Sequence, residues 1–305
     1  MESIVQVKNL RKEYRNTDVL KGINLTVNKG EVFGFVGHNG AGKSTLIHIL
    51  TGIVNKTSGS FTIFDMPDNE LNTVKRKMGV MPDITNLYHN MKGYNFLKYM
   101  GELTEDKRSK AGYTELLKKV GLEGAEDQKI KSYSFGMKKK ISIAQALLGD
   151  PELIILDEPT SGLDPESAIY IRNLISELQK SGKTIFLTSH NLDEIERISD
   201  RVGILSNGVI KKFGTPEELK KVEEGSNIGF SVRTIPMLTT EKIEELTNLH
   251  QLNIIFGEGR QTSARLIVKS EEDIPKITKA IVDSGISLYE VKIDEKSLED
   301  VFMNA

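Results

Sequence analysis

Two segments near the start alternate apolar and polar residues, Ile4 to Leu10 and Ile23 to Val27, the period of strands buried on one face. Asn28-Lys29-Gly30 then turns the chain into Val32 to Val36, an unbroken apolar run that reads as a buried strand. Lys43 to Thr51 follows as a helix, and Thr57-Ser58-Gly59 turns into a further strand, Ser60 to Phe64. From about residue 86 to 149 the spacing changes. Phe96, Leu97 and Met100, then Leu116, Leu117 and Val120, recur at helical intervals and predict a mostly helical insertion. Strand runs return at Leu153 to Leu156, Thr184 to Leu187 and Val202 to Leu205, with a helix after each of the first two. The first of these helices opens at Pro165, aligns Ile171, Leu174, Ile175 and Leu178 on one face, and closes at Gly182. That alternation predicts an α/β fold with a largely parallel sheet covered by helices.

The composition shifts around Val222-Glu223-Glu224-Gly225-Ser226, which divides the chain into residues 1–222 and 226–305. Beyond the boundary the pattern reads as strand (Ile228 to Arg233), helix (Thr239 to Thr247), two strands (Leu252 to Phe256, Ala264 to Val268), helix (Glu272 to Asp283) and strand (Ile286 to Ile293). This β-α-β-β-α-β order predicts a small α+β, ferredoxin-like unit. A short helix over Ser297 to Met303 would close the chain, with Ser297 and Asp300 spaced as a capping box.

Composition narrows the function only by exclusion. With 305 residues there is length for two ordinary domains. No apolar stretch approaches the roughly 18 residues needed to span a bilayer; the richest, Leu153 to Leu156, is broken at once by Asp157 and Glu158. Met1 to Leu10 lacks the basic start and apolar segment of a signal peptide, so a cytoplasmic protein is expected. The absence of cysteine removes disulfide and thiolate chemistry. A formal net charge of -2 supplies no field to draw the chain onto nucleic acid or anionic lipid, so a membrane link would pass through a protein partner.

The chemistry is concentrated at Gly37-His38-Asn39-Gly40-Ala41-Gly42-Lys43-Ser44-Thr45, a glycine, four free positions, then Gly-Lys-Ser. It lies between a predicted strand and a predicted helix, the context a phosphate-binding loop requires. The glycines let consecutive backbone N–H groups curl around phosphate oxygens, and the helix N-terminus adds partial positive charge. Lys43 would reach the β and γ phosphates of a nucleotide, and Ser44 would place its hydroxyl on Mg²⁺. Such a loop alone fits kinases, GTPases, motors and transport ATPases equally. The second element is Leu153-Ile154-Ile155-Leu156-Asp157-Glu158-Pro159, an apolar strand that ends in acids at the carboxyl edge of the sheet, where ligands bind in open α/β folds. Asp157 is placed to hold Mg²⁺. Glu158, one residue on, is placed to polarise or align the water that attacks the γ phosphorus.

With these motifs in order, the chain resembles the ATP-binding subunit of an ABC transporter over Met1 to about Lys220. Tyr133-Ser134-Phe135-Gly136-Met137 is similar to that family's signature, usually Leu-Ser-Gly-Gly-Gln. The resemblance implies that Ser134 and the N–H groups near Gly136 meet the γ phosphate of ATP held by a second copy. It also identifies Ser161-Gly162-Leu163-Asp164 with the loop that crosses the dimer interface, His190 with the histidine that contacts the γ phosphate, and Tyr14 with the aromatic that stacks on adenine. The implied fold is a P-loop NTPase core with a RecA-like, mostly parallel sheet, an antiparallel β part and a helical subdomain at about 86–149, followed by the accessory or regulatory unit at 226–305.

Two departures from the family pattern stand out. Asp83 occupies the position usually held by glutamine, and can still accept from a metal-bound water. Phe135 replaces a signature glycine and requires a backbone with negative φ, while Met137 and Lys138-Lys139-Lys140 replace a glutamine-containing continuation. Both departures, with the Ser297 to Phe302 tail, resemble the subfamily whose separate membrane permeases export ions, drugs, lipids or peptides. The implied mechanism is a pair of copies closing on two ATP molecules and driving that permease from the inner face of the membrane. A soluble ABC-type ATPase of translation or DNA repair is the alternative, although neither two fused ATPase units nor a long coiled-coil insertion is visible. A P-loop kinase would leave Tyr133 to Met137 and His190 unexplained.

Overall fold

The structure, a computed structural model, describes residues 2–82, 84–220, 227–250, 252–259, 263–294 and 298. Two compact units divide between Leu219 and Lys220. Asp83, the composition shift at 222–226 and most of the C-terminal capping box lie outside the described residues.

The first unit begins with a long hairpin, β1 (Ser3–Tyr14) and β2 (Thr17–Asn28); the expected alternation holds over Ile23, Leu25 and Val27 of β2, while in β1 register shifts bury Ile4, Val5, Val7 and Leu10 instead. The buried strand β3 (Val32–Gly37) runs into α1 (Lys43–Leu50), followed by β4 (Ser58–Ile63), β5 (Met66–Pro67), the short α2 (Leu71–Val74) and β6 (Met78–Val80). The helical insertion consists of α3 (Gly93–Leu103), α4 (Lys110–Lys119) and α5 (Phe135–Ala146). Strands then alternate with helices: β7 (Leu153–Asp157), α6 (Pro165–Lys180), β8 (Thr184–Ser189), α7 (Leu192–Ile198), β9 (Arg201–Ser206), β10 (Val209–Gly214) and α8 (Pro216–Lys220).

These strands form two sheets. An antiparallel one has the order β2-β1-β4-β5, and the other has the order β10-β9-β3-β8-β7-β6. Only the edge pair β10 and β9 of the second sheet is antiparallel; the remaining pairs are parallel. All six residues of β3 are buried, as are all six of β8. Phe33, Phe35 and Phe186 interlock across this pair, with centroid separations of 5.6 Å (Phe33 to Phe186) and 5.9 Å (Phe35 to Phe186). Each such side chain contributes about 2 kcal/mol of burial, so the strand that delivers the phosphate-binding loop is among the best anchored in the unit.

Close backbone approach fixes the helices against this sheet. A Cβ on Gly34 would lie 2.6 Å from Ile195 Cγ2 of α7, and one on Gly79 would lie 1.8 Å from the carbonyl oxygen of Ala146 at the end of α5. In the insertion, Gly93 receives the hydroxyl of Tyr133 where a methyl would be 2.1 Å away, and Tyr133 in turn donates to the carbonyl of Ala125 at 2.7 Å. Tyr133 thereby ties α3 to the segment that opens α5.

The second unit has the elements read from the pattern: β11 (Ile228–Ile235), α9 (Thr240–His250), β12 (Ile254–Gly259), β13 (Ala264–Val268), α10 (Asp273–Asp283) and β14 (Ser287–Ile293). Its sheet is antiparallel throughout, in the order β12-β13-β11-β14. Phe230, Val232, Leu266 and Val268 from the sheet pack with Ile243 and Leu246 of α9 and Ile277 and Ile281 of α10. Among the described residues, no helix of either unit is long and apolar enough to cross a membrane.

Candidate active site

The loop between β3 and α1 is shaped by its glycines. At Gly37 a Cβ would meet the Leu205 carbonyl of the neighbouring β9 at 2.6 Å, so the strand can approach only without a side chain. Gly40 and Gly42 lie at φ of +81° and +112°, in the left-handed region that side chains disfavour. Gly42 caps α1 and no side chain caps it, which leaves the first N–H groups of that helix for a ligand. Lys43 is buried. Its ammonium donates to the carbonyls of Gly37 at 2.7 Å and His38 at 3.3 Å.

Strand β7 delivers the acids to the same place. The Ser44 hydroxyl donates to Asp157 Oδ2 at 2.9 Å, and the Thr188 hydroxyl on β8 donates to Asp157 Oδ1. Thr188 also accepts the N–H of Glu158 at 3.0 Å. Glu158 carries φ of +47°, a left-handed backbone at a non-glycine residue. Its carboxylate lies 3.5 Å from the Lys43 ammonium through Oε1 and 2.8 Å from His190 Nδ1 through Oε2. Burial pushes the Glu158 carboxyl up, but the hydrogen bond and charge of His190, the Lys43 ammonium and Ser161 outweigh it and hold it below the usual carboxylate range. An ionised carboxylate only accepts, so His190 presents Nδ1–H to it. Asn39, Gly40, Gly42 to Thr45, Asp157 and Glu158 line one cleft of about 620 Å³.

His190 reaches that cleft only through Glu158, His38 and Ala41 line a neighbouring one, and Tyr14, Ser134 and Gly136 stand farther apart. Tyr14 ends β1, half-exposed, with the Lys12 ammonium 4.5 Å from its ring centre. A second cleft of about 540 Å³ includes Thr17 to Val19, just beyond Tyr14 across the hairpin turn, and shares Asn39 and Gly40 with the first. Ser134 and Gly136 line neither cleft. The Ser134 hydroxyl caps α5 by accepting the Met137 N–H at 3.2 Å, and Phe135 opens the helix without a positive φ, as its side chain demands. Phe135 is 46% exposed, and its ring edge lies 3.0 Å from the place of a Gly162 Cβ. Gly136 has ordinary contacts only: a Cβ there would be 3.4 Å from Ser167 Oγ and farther from all else. Asp164 caps α6 by accepting the Ser167 N–H at 2.9 Å; that bond holds its carboxyl below the ordinary range.

Thr188 and Lys139 belong to this region and were not singled out as site residues by the sequence. Thr188 had a signal, a hydroxyl at the carboxyl end of a strand two residues before His190. Lys139 had none separable from the charge run around it.

The donors suit a hard cation. Among the described residues no group of three or more His, Cys, Asp or Glu could hold a metal by itself, while Ser44 and Asp157 are already in contact. Mg²⁺ commonly takes few protein ligands and completes its shell with phosphate oxygens and water.

Comparison with known proteins gives a consistent result. The profile of the ABC transporter family matches residues 20–161. The linearmycin resistance ATP-binding protein of Bacillus subtilis (strain 168) is 32% identical, with 99% of this chain and 97% of that protein covered. The bacitracin transport ATP-binding protein of Enterococcus faecalis is also 32% identical, with coverages of 99% and 96%. A dimeric ATP-binding cassette solved in a post-hydrolysis state with ADP and Pi superimposes with a TM-score of 0.64 at 26% identity, covering 69% of this chain and 98% of that one.

Proposed function

This chain belongs to the ABC transporter ATP-binding proteins and is an ATPase, and from that premise we propose that two copies bind two ATP molecules between them and drive a separate membrane permease. The observation that carries the site assignment is the convergence of Lys43, Ser44, Asp157 and Glu158 on one cleft, with His190 held against Glu158. In this reading Gly37 to Thr45 cradle the phosphates with backbone N–H groups, and Lys43 exchanges its contact with Glu158 for the β and γ phosphates. Ser44 and Asp157 would hold Mg²⁺, with Asp83 as a further oxygen ligand; bound there, the ion would neutralise charge between the phosphates. Glu158, freed from Lys43, aligns and deprotonates the attacking water while His190 fixes its orientation and reaches the γ phosphate. Tyr14 stacks on adenine from the end of the hairpin.

Ser134 and Gly136 complete the partner's site. They open a helix of 12 residues whose N-terminus favours an anion, and nothing in their own subunit requires a glycine at 136. ATP then holds the two copies together, and hydrolysis with phosphate loss separates them, an order of events that can switch a bistable permease. The helical insertion and the loop containing Asp83 pass the motion on from the inner face of the cell membrane.

Full-length similarity to resistance and transport proteins supports an exporter of drug, peptide, lipid or ion over a soluble ATPase of translation or DNA repair. Detergent co-purification with an integral membrane protein separates these two. The accessory unit at 226–305 is read as dimer-stabilising or regulatory. Truncation after Gly225 should then weaken ATP-dependent dimerisation, and unchanged dimerisation rejects that role. The decisive test of the site is Glu158→Gln: ATP binding retained, a stable ATP-dependent dimer, and turnover lowered by at least about 100-fold. Near-normal hydrolysis would show that another group handles the water.

A further inference from the structure

Beside the site lies a buried cation with no role in nucleotide binding so far, Lys139. Lys139 lies in the run Lys138 to Lys140, which as a sequence suggests a solvated face, yet its side chain is only 8% exposed. It projects from the second turn of α5 into the cleft that holds Asp157 and Glu158. Its ammonium donates to the backbone carbonyl of Glu158 at 2.6 Å. A charge-assisted bond to a carbonyl is about twice as strong as a neutral one, and this one falls on the peptide of the residue with left-handed backbone.

That backbone costs a non-glycine residue roughly 1 to 2 kcal/mol and persists only where its surroundings over-determine it. Two other bonds bear on it. The Glu158 N–H is held by Thr188, and its carbonyl also accepts the Ser161 N–H, at a longer 3.3 Å. The Lys139 bond is the shortest of the three and comes from a different element. The same helix lies close to the segment after Glu158 at two further points: the Phe135 ring is 3.0 Å from where a Gly162 Cβ would sit, and Leu163 Cδ2 would be 3.5 Å from a Cβ on Gly136.

We propose that Lys139 is a positioning residue for Glu158: by gripping its carbonyl, the helix that begins with Ser134 sets the carboxylate's aim in its own subunit. The proposal rests on the assignment of Glu158 to the attacking water. It adds a mechanical link, since α5 would serve the partner's nucleotide at its N-terminus and its own subunit's acid one turn later.

Steady-state ATP hydrolysis by the full chain tests it. Lys139→Met should lower kcat by roughly ten- to a hundredfold, the cost of a misaimed group, with the KM for ATP within about twofold of wild type and the variant still binding ATP. Lys139→Arg, which retains a long cationic donor, should recover most of the rate. In a Glu158→Gln background, Lys139→Met should change the residual single-turnover rate little, because the residue it aims is already disabled. Unchanged kcat in Lys139→Met overturns the proposal; so does an equal loss in both backgrounds, or a loss confined to ATP binding. Should Lys139→Met fail to fold, Lys139→Gln carries the same test, its shorter side chain falling short of the carbonyl, and full kcat there overturns the proposal equally. Near-normal turnover in Glu158→Gln alone would defeat the underlying site assignment, an outcome distinct from these.

Discussion

Two helices of the ATPase unit are assigned to anions in the proposed function, and they differ in where their glycines find a reason. At α1 the reasons are internal. Gly37 is forced by the Leu205 carbonyl, and Gly42 by both a φ of +112° and the Leu20 side chain 2.8 Å from its would-be Cβ. A buried ammonium is already compensated by carbonyls and by Glu158. At α5 the helix caps itself with the Ser134 hydroxyl, Phe135 is half-exposed, and Gly136 could accept a methyl group without a clash or a positive φ. A glycine with no intramolecular reason points to one outside the subunit. The first helix terminus is organised within its own subunit; the second is the one the proposed function gives to another molecule.

The largest effect should come from emptying the first terminus. Lys43→Ala removes the buried cation assigned to the phosphates, and truncating one member of a buried charge pair costs several kcal/mol. ATP affinity should fall on the order of 100-fold, read by titration with a fluorescent ATP analogue. Unchanged affinity would mean that the loop does not cradle phosphate through Lys43.

Much of this part was legible because it is local. The apolar run into Gly37, the Gly-Lys-Ser ending and the acids after Leu153 to Leu156 each fall within a short stretch of chain, and in the second unit β11 and β13 alternate cleanly. What stayed hidden depends on distant pairing. Thr188 meets Asp157 only because β7 and β8 lie side by side with Asp157 opposite Thr188. Lys139 reaches Glu158 only because α5 crosses the end of β7. Strands β5 and β6 are too short to show a period. Strand β10 had a usable signal, the Asn207-Gly208 turn at φ of +49° and +80°, the hairpin pair of a type I′ turn, but Lys211 and Lys212 break the alternation after it.

A paired substitution puts the comparison itself at risk. Gly42→Ala meets both strain and the Leu20 side chain, and should cost about 1 to 3 kcal/mol of stability along with nucleotide binding. Gly136→Ala should leave stability within about 0.5 kcal/mol, while ATP-dependent dimerisation weakens by about tenfold or more, since the methyl group intrudes where a phosphate must approach the N–H groups. Denaturant melts and sedimentation with ATP read the two quantities separately. If Gly136→Ala unfolds the protein as Gly42→Ala does, the glycine is structural and the contrast between the two helices disappears.

The smallest effect concerns how the second helix is anchored. Its N-terminus follows Tyr133, whose hydroxyl donates to the Ala125 carbonyl from a site nearly closed to solvent. Burial, reinforced by the negative charge of Glu126, pushes the Tyr133 phenol up to about 12. The folded state therefore favours the protonated phenol more than the unfolded chain does, where tyrosine ionises near 10. That preference stabilises the protein fully below about pH 10, and the stabilisation is lost as pH rises through the folded value of about 12. Tyr133→Phe keeps the ring but leaves the Ala125 carbonyl without this donor, which should cost about 1 kcal/mol at neutral pH. Between pH 10 and 12 the wild type loses the ionisation-linked part of its advantage and the variant has none to lose, so the difference between them should narrow. Other tyrosines titrate in both proteins and cancel in that difference. Urea melts of the pair from pH 7 to 12 measure it; a gap that stays constant or widens would show that the Tyr133 hydroxyl is not the buried donor that fastens α5.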